Sequence, residues 1–190
     1  LCRRYGFSGS HFHFVAPEWA KSMRQAGYSI WQHQGFLWEN PGYGDFEDFL
    51  SRFHSRQRKT IRRERRAMQE AGISFTHLCG EDIPDSYLDR MYDFYLRTNL
   101  QYGPWACLHL NRDFFRGLAE LRSRLLLVCA FQEGERDPVG MALLVHKGER
   151  LYGRYWGSRK EIRHLHFNTC FYQPMEWAIQ NGIRFFDPGI

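Results

Sequence analysis

Residues 125–156 read LLLVCAFQEGERDPVGMALLVHKGERLYGRYW, and this stretch decides the fold. Residues 125–131 form a continuous apolar run, which is typical of a strand that is buried on both faces. Residues 138–146 and 151–156 follow as two further strands, and short turns that contain glycine separate the three. Strands joined by such short turns pair antiparallel, so we expect three sequential antiparallel strands.

Helical patterns lie on both sides of these strands. Residues 45–71 predict one long helix with Asp45 as its N-cap and Gly72 as its C-terminal stop. Pro174 falls inside a late helix and should kink it, or mark the point where one helical segment gives way to another. The remaining predicted elements are a strand at 73–78, helices at 84–98, 112–122 and 165–180, and a closing strand at 183–187. This order predicts an α/β fold with a mixed sheet.

The first 44 residues are expected to belong to a different unit. Residues 11–16 and 28–37 predict two strands, with a helix that Pro17 opens between them. The turn-forming residues 40–44 then predict a boundary. The first residue is not Met and the chain ends just after a strand, so we expect a chain cut at both ends: a remnant at 1–44 and a main domain at 45–190, truncated at its C-terminus.

Composition narrows the protein class without identifying a ligand. Apolar residues make up 43% and charged residues 25%, which is the globular range. No apolar run approaches the ~18 residues of a membrane span, and no signal peptide opens the chain. The five cysteines show no metal or redox spacing, so we predict buried thiols in a reducing, cytoplasmic compartment. A net charge of +5 indicates an anionic partner, and phosphorylated ligands, tRNA and plain solubility stay open.

Two clusters of residues could bind a charged ligand or a metal ion. His11 and His13 would share one face of a strand, but no third ligand is identifiable, so no metal site is predicted. Seven basic residues fall within residues 56–66, where Glu64 is the only acid. Like charges at helical spacing repel each other, which favours a nearby anion such as a phosphate or a nucleic-acid backbone. The alternative is a solvated face paired with acids from elsewhere, such as Glu81, Asp82 and Asp85.

Four stretches resemble a known family. RKTIRRERRAMQEAGI at 58–73 resembles the basic helix of the Fem peptidyltransferases, and AIQNGIRFFDPGI at 178–190 resembles their ending. LYGRYWGS at 151–158 and LHFNTCFYQ at 165–173 are similar to the bacterial FemAB-like family. The resemblance covers roughly residues 45–190. It implies a Gcn5-related N-acetyltransferase (GNAT) fold, which is a mixed, mainly antiparallel sheet flanked by helices and usually occurs twice in such proteins.

The resemblance also implies an activity. Fem enzymes transfer an amino acid from aminoacyl-tRNA to an amine of a cell-wall precursor, so the expected function is N-acyl transfer from a phosphate-bearing carrier to a small-molecule or peptide amine. The donor would be acyl-CoA or aminoacyl-tRNA, held by Lys59, Arg62, Arg63 and Arg66. Residues 157–164 contain a single glycine, and a glycine-rich cradle for a coenzyme A pyrophosphate is not visible there, which disfavours acetyl-CoA.

The expected reacting centre lies on the strand at 151–156 and the helix after it. Tyr152, Arg154 and Trp156 alternate and should share a face. Arg154 could anchor a carboxylate or phosphate, or form a salt bridge to Glu161 or Asp187. His164 and His166 lie where a helix dipole favours the neutral imidazole, so either could act as a base, or could only cap or pack. The predicted catalytic residues are Tyr155 and His166, and the predicted substrate-binding residues are Arg154, Trp156, Ser158, Asn168 and Asp187.

No catalytic nucleophile is identifiable in the sequence. An amine that attacks a bound acyl donor needs orientation and a proton acceptor, not a protein nucleophile, so acyl transfer is compatible with this pattern. One rival hypothesis is a non-catalytic GNAT-fold module that binds RNA or another polyanion through the basic helix. A second is a structural half whose partner domain holds the active site.

Overall fold

The computed structural model describes residues 2–13, 15–32 and 35–189. Contacts divide the chain into two compact units, residues 1–34 and 35–190. The predicted remnant at 1–44 stays a prediction, but the structure divides the chain earlier, because Trp38 and Glu39 pair with a strand of the second unit.

The first unit contains two helices, α1 (Cys2–Tyr5) and α2 (Pro17–Gln25). Pro17 opens α2 as predicted. The described residues of the two strands expected at 11–16 and 28–37 adopt no strand, so that prediction is wrong for them; Phe14, His33 and Gln34 lie outside the described residues. This unit contains aromatic contacts instead: the ring of Phe12 meets the rings of Trp19 and Tyr28 edge-on, at 4.9 and 5.7 Å between ring centres.

The second unit is built on a six-stranded sheet. Its strands are β1 (Trp38–Glu39), β2 (Ile73–Cys79), β3 (Leu125–Gln132), β4 (Gly140–Lys147), β5 (Arg150–Ser158) and β6 (Phe185–Asp187), in the spatial order β1-β6-β5-β4-β3-β2. All neighbours pair antiparallel except β5 and β6, which are parallel. The predicted fold class and the three hairpin-linked strands are therefore confirmed.

Helices cover both faces of the sheet. They are α3 (Phe46–Ser51), α4 (Ser55–Glu70), α5 (Asp85–Leu100), α6 (Arg112–Gly117), α7 (Leu165–Phe167), a π-helix (Asn168–Tyr172) and α8 (Gln173–Gln180). On one face, α5 packs Met91 and Phe94 against the side chains of β3 and β4 that include Leu127. On the other face, α8 packs Ala178 against a second cluster that includes Leu126.

The helix predicted at 45–71 is broken into α3 and α4. Asp45 caps α3 as predicted, since its carboxylate accepts a hydrogen bond from the backbone N–H of Asp48 at 2.7 Å. A second start follows at once, because the N–H of His54 donates to the side chain of Gln57 at 3.3 Å. Such a bond satisfies an N–H that a helix start leaves without an intrahelical partner.

The late helix changes its winding at the place that Pro174 indicates. The π-helix separates α7 from α8, and Pro174 lies in the first turn of α8, where its missing N–H interrupts the helical hydrogen-bond pattern. The prediction that Pro174 marks a change between helical segments is confirmed. His164, just before α7, has a positive φ of 68°. Among the described residues it is the only non-glycine with a positive φ.

A β-bulge interrupts β5. Leu143 of β4 pairs with Tyr155, whereas its neighbour Leu144 pairs with Gly153, so Arg154 is an extra residue in β5. Past such a bulge the alternation of side chains is reset. Tyr155 consequently packs with the α5 side of the sheet and Trp156 with the opposite side. The prediction that Tyr152, Arg154 and Trp156 share a face is therefore wrong.

Candidate functional site

The candidate site is the cleft that opens where β5 and β6 separate. Their parallel pairing ends at Tyr152 and Asp187. Just beyond that pair, a Cβ placed on Gly153 would lie 2.3 Å from the carbonyl oxygen of Pro188. The backbones of the two segments are therefore in direct contact. A cleft of about 560 Å³ lies at this junction. Ligand sites in proteins are commonly pockets of this size, lined by rings and a few polar groups.

Four elements supply the walls of the cleft: the end of α5 with the loop after it, the middle of β4 and β5, the π-helix region, and the turn after β6. The lining residues are Tyr95, Thr98, Asn99, Tyr102, Cys107, His109, Leu110, Ala142, Leu143, Leu144, Gly153, Arg154, Tyr155, Trp156, His166, Cys170, Phe171, Pro188 and Gly189. Several aromatic rings are among them, and Arg154 is the one Arg or Lys while no Asp or Glu is present.

Arg154 lies on the bulge of β5 and is exposed. Its guanidinium lies over the ring of Tyr152, 5.4 Å from the ring centre, which is a cation–π contact. It takes part in no ion pair and no side-chain hydrogen bond within the described chain, so the alternative salt bridge to Glu161 or Asp187 is absent there. Its donors are free to bind a ligand anion.

His166 lines the same cleft, among aromatic rings. Its imidazole is 5.2 Å from the ring of Trp156 and 5.8 Å from that of Phe171. Burial among these rings lowers the pKa of His166, because desolvation disfavours the imidazolium. The lowered pKa favours the neutral imidazole, although the residue as a whole is exposed.

Tyr155 contributes to the wall on the α5 side. Its ring meets Tyr95 edge-on at 5.4 Å, and burial raises the pKa of the Tyr155 hydroxyl. The hydroxyl of Tyr95 donates to the carbonyl of Cys107 at 2.9 Å and accepts from the N–H of His109 at 3.1 Å. Tyr95 thus fixes the loop after α5, while Tyr155 stays protonated and can donate only a neutral hydrogen bond.

Cys170 is the lining residue that could in principle act as a nucleophile from the π-helix. Burial raises the pKa of its thiol, so the reactive thiolate is suppressed. A covalent intermediate on Cys170 is therefore disfavoured; Cys107, which also lines the cleft, is exposed. Within the described ranges, no group of three His, Cys, Asp or Glu side chains is arranged to hold a metal ion.

The structure places three predicted binding residues outside the cleft lining. Ser158 ends β5 and pairs with Gly140. Asn168 is buried, and its amide donates to the carbonyls of His164 and Glu64 at 2.9 and 3.3 Å. The carboxylate of Asp187 accepts from the N–H of Gly189 at 2.9 Å, which is a turn-capping contact. Arg154, Tyr155, Trp156 and His166 are brought together, and their roles stay predictions.

The basic helix α4 presents two kinds of cation. Three have partners within the chain: Arg65 pairs with Glu176 at 2.5 Å and lies 4.3 Å over the ring of Phe46, the exposed Arg62 pairs with Glu47 at 2.5 Å, and Arg58 donates to the carbonyl of Phe53 at 2.6 Å. The others are exposed and have no ion-pair or hydrogen-bond partner among the described residues: Arg56, Lys59, Arg63 and Arg66. Of the acids expected to neutralise this helix, Glu81 and Asp85 instead face Arg122.

The single acid of the basic run serves the fold. Glu64 points inward, where its carboxylate accepts a hydrogen bond from the hydroxyl of Tyr172 at 2.6 Å and lies 3.8 Å from Nδ1 of His164. These contacts join α4 to both ends of the segment that carries His166. His164 is not among the residues that line the cleft, which favours a structural role over that of a base there.

Sequence reasoning missed the α5 side of the cleft. Thr98, whose hydroxyl donates to the carbonyl of Trp156 at 2.9 Å, and Asn99, Tyr102 and His109 all line it. Polar residues at the C-terminal end of an amphipathic helix are the available signal, but that pattern is common on surfaces. None of the helices in the described ranges is long and apolar enough to cross a membrane.

Comparisons with known structures are consistent with this fold. The C-terminal domain of a protein described as a lysylphosphatidylglycerol synthetase from Agrobacterium fabrum aligns with a TM-score of 0.56 at 14% identity, over 98% of this chain and 56% of that one. L-PGS from Bacillus licheniformis aligns with a TM-score of 0.52 at 14% identity, over 91% and 58%. This chain thus spans a little more than half of either structure.

A third solved structure and the sequence comparisons complete these findings. An aminoglycoside acetyltransferase from an uncultured soil metagenomic sample aligns with a TM-score of 0.40 at 12% identity, over 60% of this chain and 76% of that one. Among curated proteins, no sequence matches. The family model FemAB-like, described as peptidoglycan biosynthesis/recognition, matches residues 1–190. Because that match covers the whole chain, the chain belongs to the FemAB-like family.

Proposed function

We propose that this chain is an N-acyltransferase that moves an acyl or aminoacyl group from a phosphate-bearing carrier to an amine. The observation that carries the proposal is the cleft at the separation of β5 and β6, where the guanidinium of Arg154 and the imidazole of His166 face an aromatic-lined space. Membership of the FemAB-like family supports it. Since the chain spans just over half of the two synthetase structures, the activity of a whole protein is part of the proposal.

The proposed reaction is a direct displacement. The amine nitrogen attacks the carbonyl carbon of the acyl donor, a C–N bond forms, and the ester or thioester bond to the carrier breaks. The amine loses one proton, which the neutral imidazole of His166 accepts and then returns to the leaving oxygen or sulfur. The products are an amide and the free carrier, so no redox partner is needed. The raised pKa of the Cys170 thiol, which suppresses its thiolate, is consistent with a transfer that involves no covalent intermediate on Cys170.

The charges of the cleft favour an attacking amine. An ammonium group cannot attack, and a nearby guanidinium without a compensating carboxylate lowers the pKa of an amine by like-charge repulsion. Arg154 supplies that cation, and none of the described lining residues is Asp or Glu. An amine that approaches Arg154 before any anion is bound there is therefore favoured as the free base.

The charges also favour one kind of carrier. In the segment after β5, Arg159 and Lys160 both pair with Glu135, at 2.8 and 2.5 Å, and are not free for a coenzyme A pyrophosphate. The exposed cations of α4 are free, and their number suits a carrier with several phosphates, as tRNA has. The lysyl group named for the synthetase from Agrobacterium fabrum would lack a carboxylate partner among the described cleft residues, which disfavours lysine as the transferred group.

The unpartnered cations of α4 also favour a second candidate function, a non-catalytic module that binds RNA or another polyanion. This rival uses the same helix and leaves the cleft without a role. The two candidates differ in whether a bound carrier loses its acyl group in the presence of an amine.

The test is a transfer assay on the 190-residue chain. A panel of aminoacyl-tRNAs and acyl-CoAs is mixed with a panel of amines, and mass spectrometry follows the amide and the free carrier. We expect equal amounts of both, and a loss of about 100-fold or more in the His166→Gln variant, since a general base contributes at least that much. Arg136→Gln, which removes an exposed cation outside the cleft lining, should keep the wild-type rate. Carrier binding without transfer for every pair would favour the rival.

A further inference from the structure

The cleft has a one-sided charge that constrains what it can bind. Its described lining contains one arginine and no acid. Neither His166 nor Tyr155 compensates Arg154: an imidazole carries no negative charge, and the phenol of Tyr155 ionises only at high pH, where burial raises its pKa further. A ligand therefore meets a net positive charge.

The placement of Arg154 makes that charge available. Arg154 is the extra residue of a β-bulge, so the direction of its side chain does not follow the regular alternation of side chains along β5. The ring of Tyr152 supports its guanidinium from one side, 5.4 Å away, and leaves the N–H donors without a protein acceptor in the described chain. A planar guanidinium with free donors is suited to bidentate binding of a carboxylate or a phosphate.

The discrimination that one guanidinium can give rests here on charge rather than on burial. Rings from α5, β5 and the π-helix wall part of the space, but Arg154 itself is exposed, so its charge is in contact with solvent. Under those conditions an anion gains a charge-assisted hydrogen bond, and a second cation meets uncompensated repulsion. A neutral ligand gains no such hydrogen bond and meets no such repulsion.

We infer that the amine acceptor of this cleft carries an anionic group, a carboxylate or a phosphate, close to its amine, and that Arg154 binds that group. Amino acids, peptides with a free carboxylate and phosphorylated amines belong to this class. Amines without an anion lack this contact and bind more weakly. That the ligand is an acyl acceptor rests on the proposed function. The preference for an anion is a property of binding and can be measured without turnover.

The test compares ligands that differ in the anion alone. Calorimetry measures the binding of L-phenylalanine against L-phenylalaninamide, an aromatic pair chosen because rings line the cleft, and of O-phosphoethanolamine against ethanolamine. We expect at least about tenfold tighter binding of the anionic member in one pair, the size of a charge-assisted hydrogen bond. The pair that shows it distinguishes a carboxylate from a phosphate.

Variants assign the preference to one side chain. Arg154→Gln should abolish it, Arg154→Lys should keep part of it, and Arg154→Glu should reverse it in favour of L-phenylalaninamide. Arg136→Gln should leave it unchanged, and equal melting temperatures would show that all the variants fold. Equal affinities within both pairs in the wild type, no binding of any anionic probe, or a preference that survives in Arg154→Gln would each overturn the inference. An Arg154-dependent preference without any transfer would overturn the proposed function alone.

Discussion

Gly153 of β5 and Pro188 after β6 touch through their backbones: a Cβ built on Gly153 would lie 2.3 Å from the carbonyl oxygen and 2.8 Å from the carbonyl carbon of Pro188. No side chain fits in that space. The contact lies one residue past the last parallel pair, Tyr152 with Asp187, and one residue before the bulge at Arg154. It is therefore the point at which the two strands stop pairing and the cleft begins.

Gly153→Ala tests the importance of this contact. The added methyl meets backbone atoms, which cannot rotate away, so the two strands must move apart. We expect a destabilisation of about 1–3 kcal/mol, typical of overpacking, together with weaker ligand binding in the cleft. Thermal unfolding and calorimetry measure the two effects. Gly117→Ala is the matched control, because a Cβ there has open space and no positive φ. An unchanged melting temperature of Gly153→Ala would contradict the contact.

The elements that could be predicted from sequence are those that local patterns specify. The apolar run of β3 and the glycine turns between β3, β4 and β5 indicate buried hairpins whatever the rest of the chain does. The bulge at Arg154 has only a weak signal, the isolated Gly153 before it, which fits either a bulge or a close backbone approach. The extra residue depends on how β5 pairs with Leu143 and Leu144, which is a tertiary property. The division of the predicted helix at 45–71 depends in the same way on packing and on a second cap.

The candidate site was predictable in part for a related reason. Arg154, Trp156 and His166 lie within one strand and the helix after it, so a resemblance to FemAB-like proteins over that stretch groups them. Thr98 and His109 come from the other side of the sheet, and only the packing of α5 on β5 brings them to the cleft. Asn168 and Asp187 are polar residues whose partners prove to be backbone groups of the chain itself.

The lowered pKa of His166 predicts the shape of a pH–rate profile. Transfer needs the neutral imidazole, so the rate should fall on the acid side as His166 gains a proton. Because burial places its pKa below the ordinary 6.5, the midpoint of that fall should lie below 6.5 as well. The measurement is kcat/KM against pH for the wild type and for His166→Gln, which should be slow and should lack this acid limb.

A second histidine separates this effect from general titration. Burial also lowers the pKa of His146, which lies 5.9 Å from the ring of Trp177 and outside the cleft lining. His146→Gln should therefore keep the acid limb. For both residues the unfolded chain binds a proton at a higher pH than the folded chain does, so stability declines as the pH falls below about 6.5. Rates are compared only where circular dichroism shows a folded chain. An acid limb that persists in His166→Gln would exclude His166 as the base.

The two kinds of cation on α4 predict opposite effects of substitution. Lys59 and Arg63 are exposed and unpartnered within the described chain, so replacing both with Gln should hardly change the melting temperature. The same replacement should weaken the binding of tRNA and flatten its dependence on salt, because two fewer counterions are released. Fluorescence titrations of tRNA, coenzyme A and heparin at two salt concentrations measure both quantities.

Arg65→Gln is the reciprocal control. It removes an ion pair with Glu176, in which both side chains are about a quarter exposed, and a cation–π contact with Phe46. It should lower the melting temperature and leave the slope of tRNA binding against salt nearly unchanged, because this guanidinium faces the protein. If Lys59→Gln/Arg63→Gln alters stability but not binding, α4 has no role in holding a carrier. Equal affinity for tRNA and heparin would favour the non-catalytic rival, whereas selective, saturable binding of one aminoacyl carrier would support the transferase.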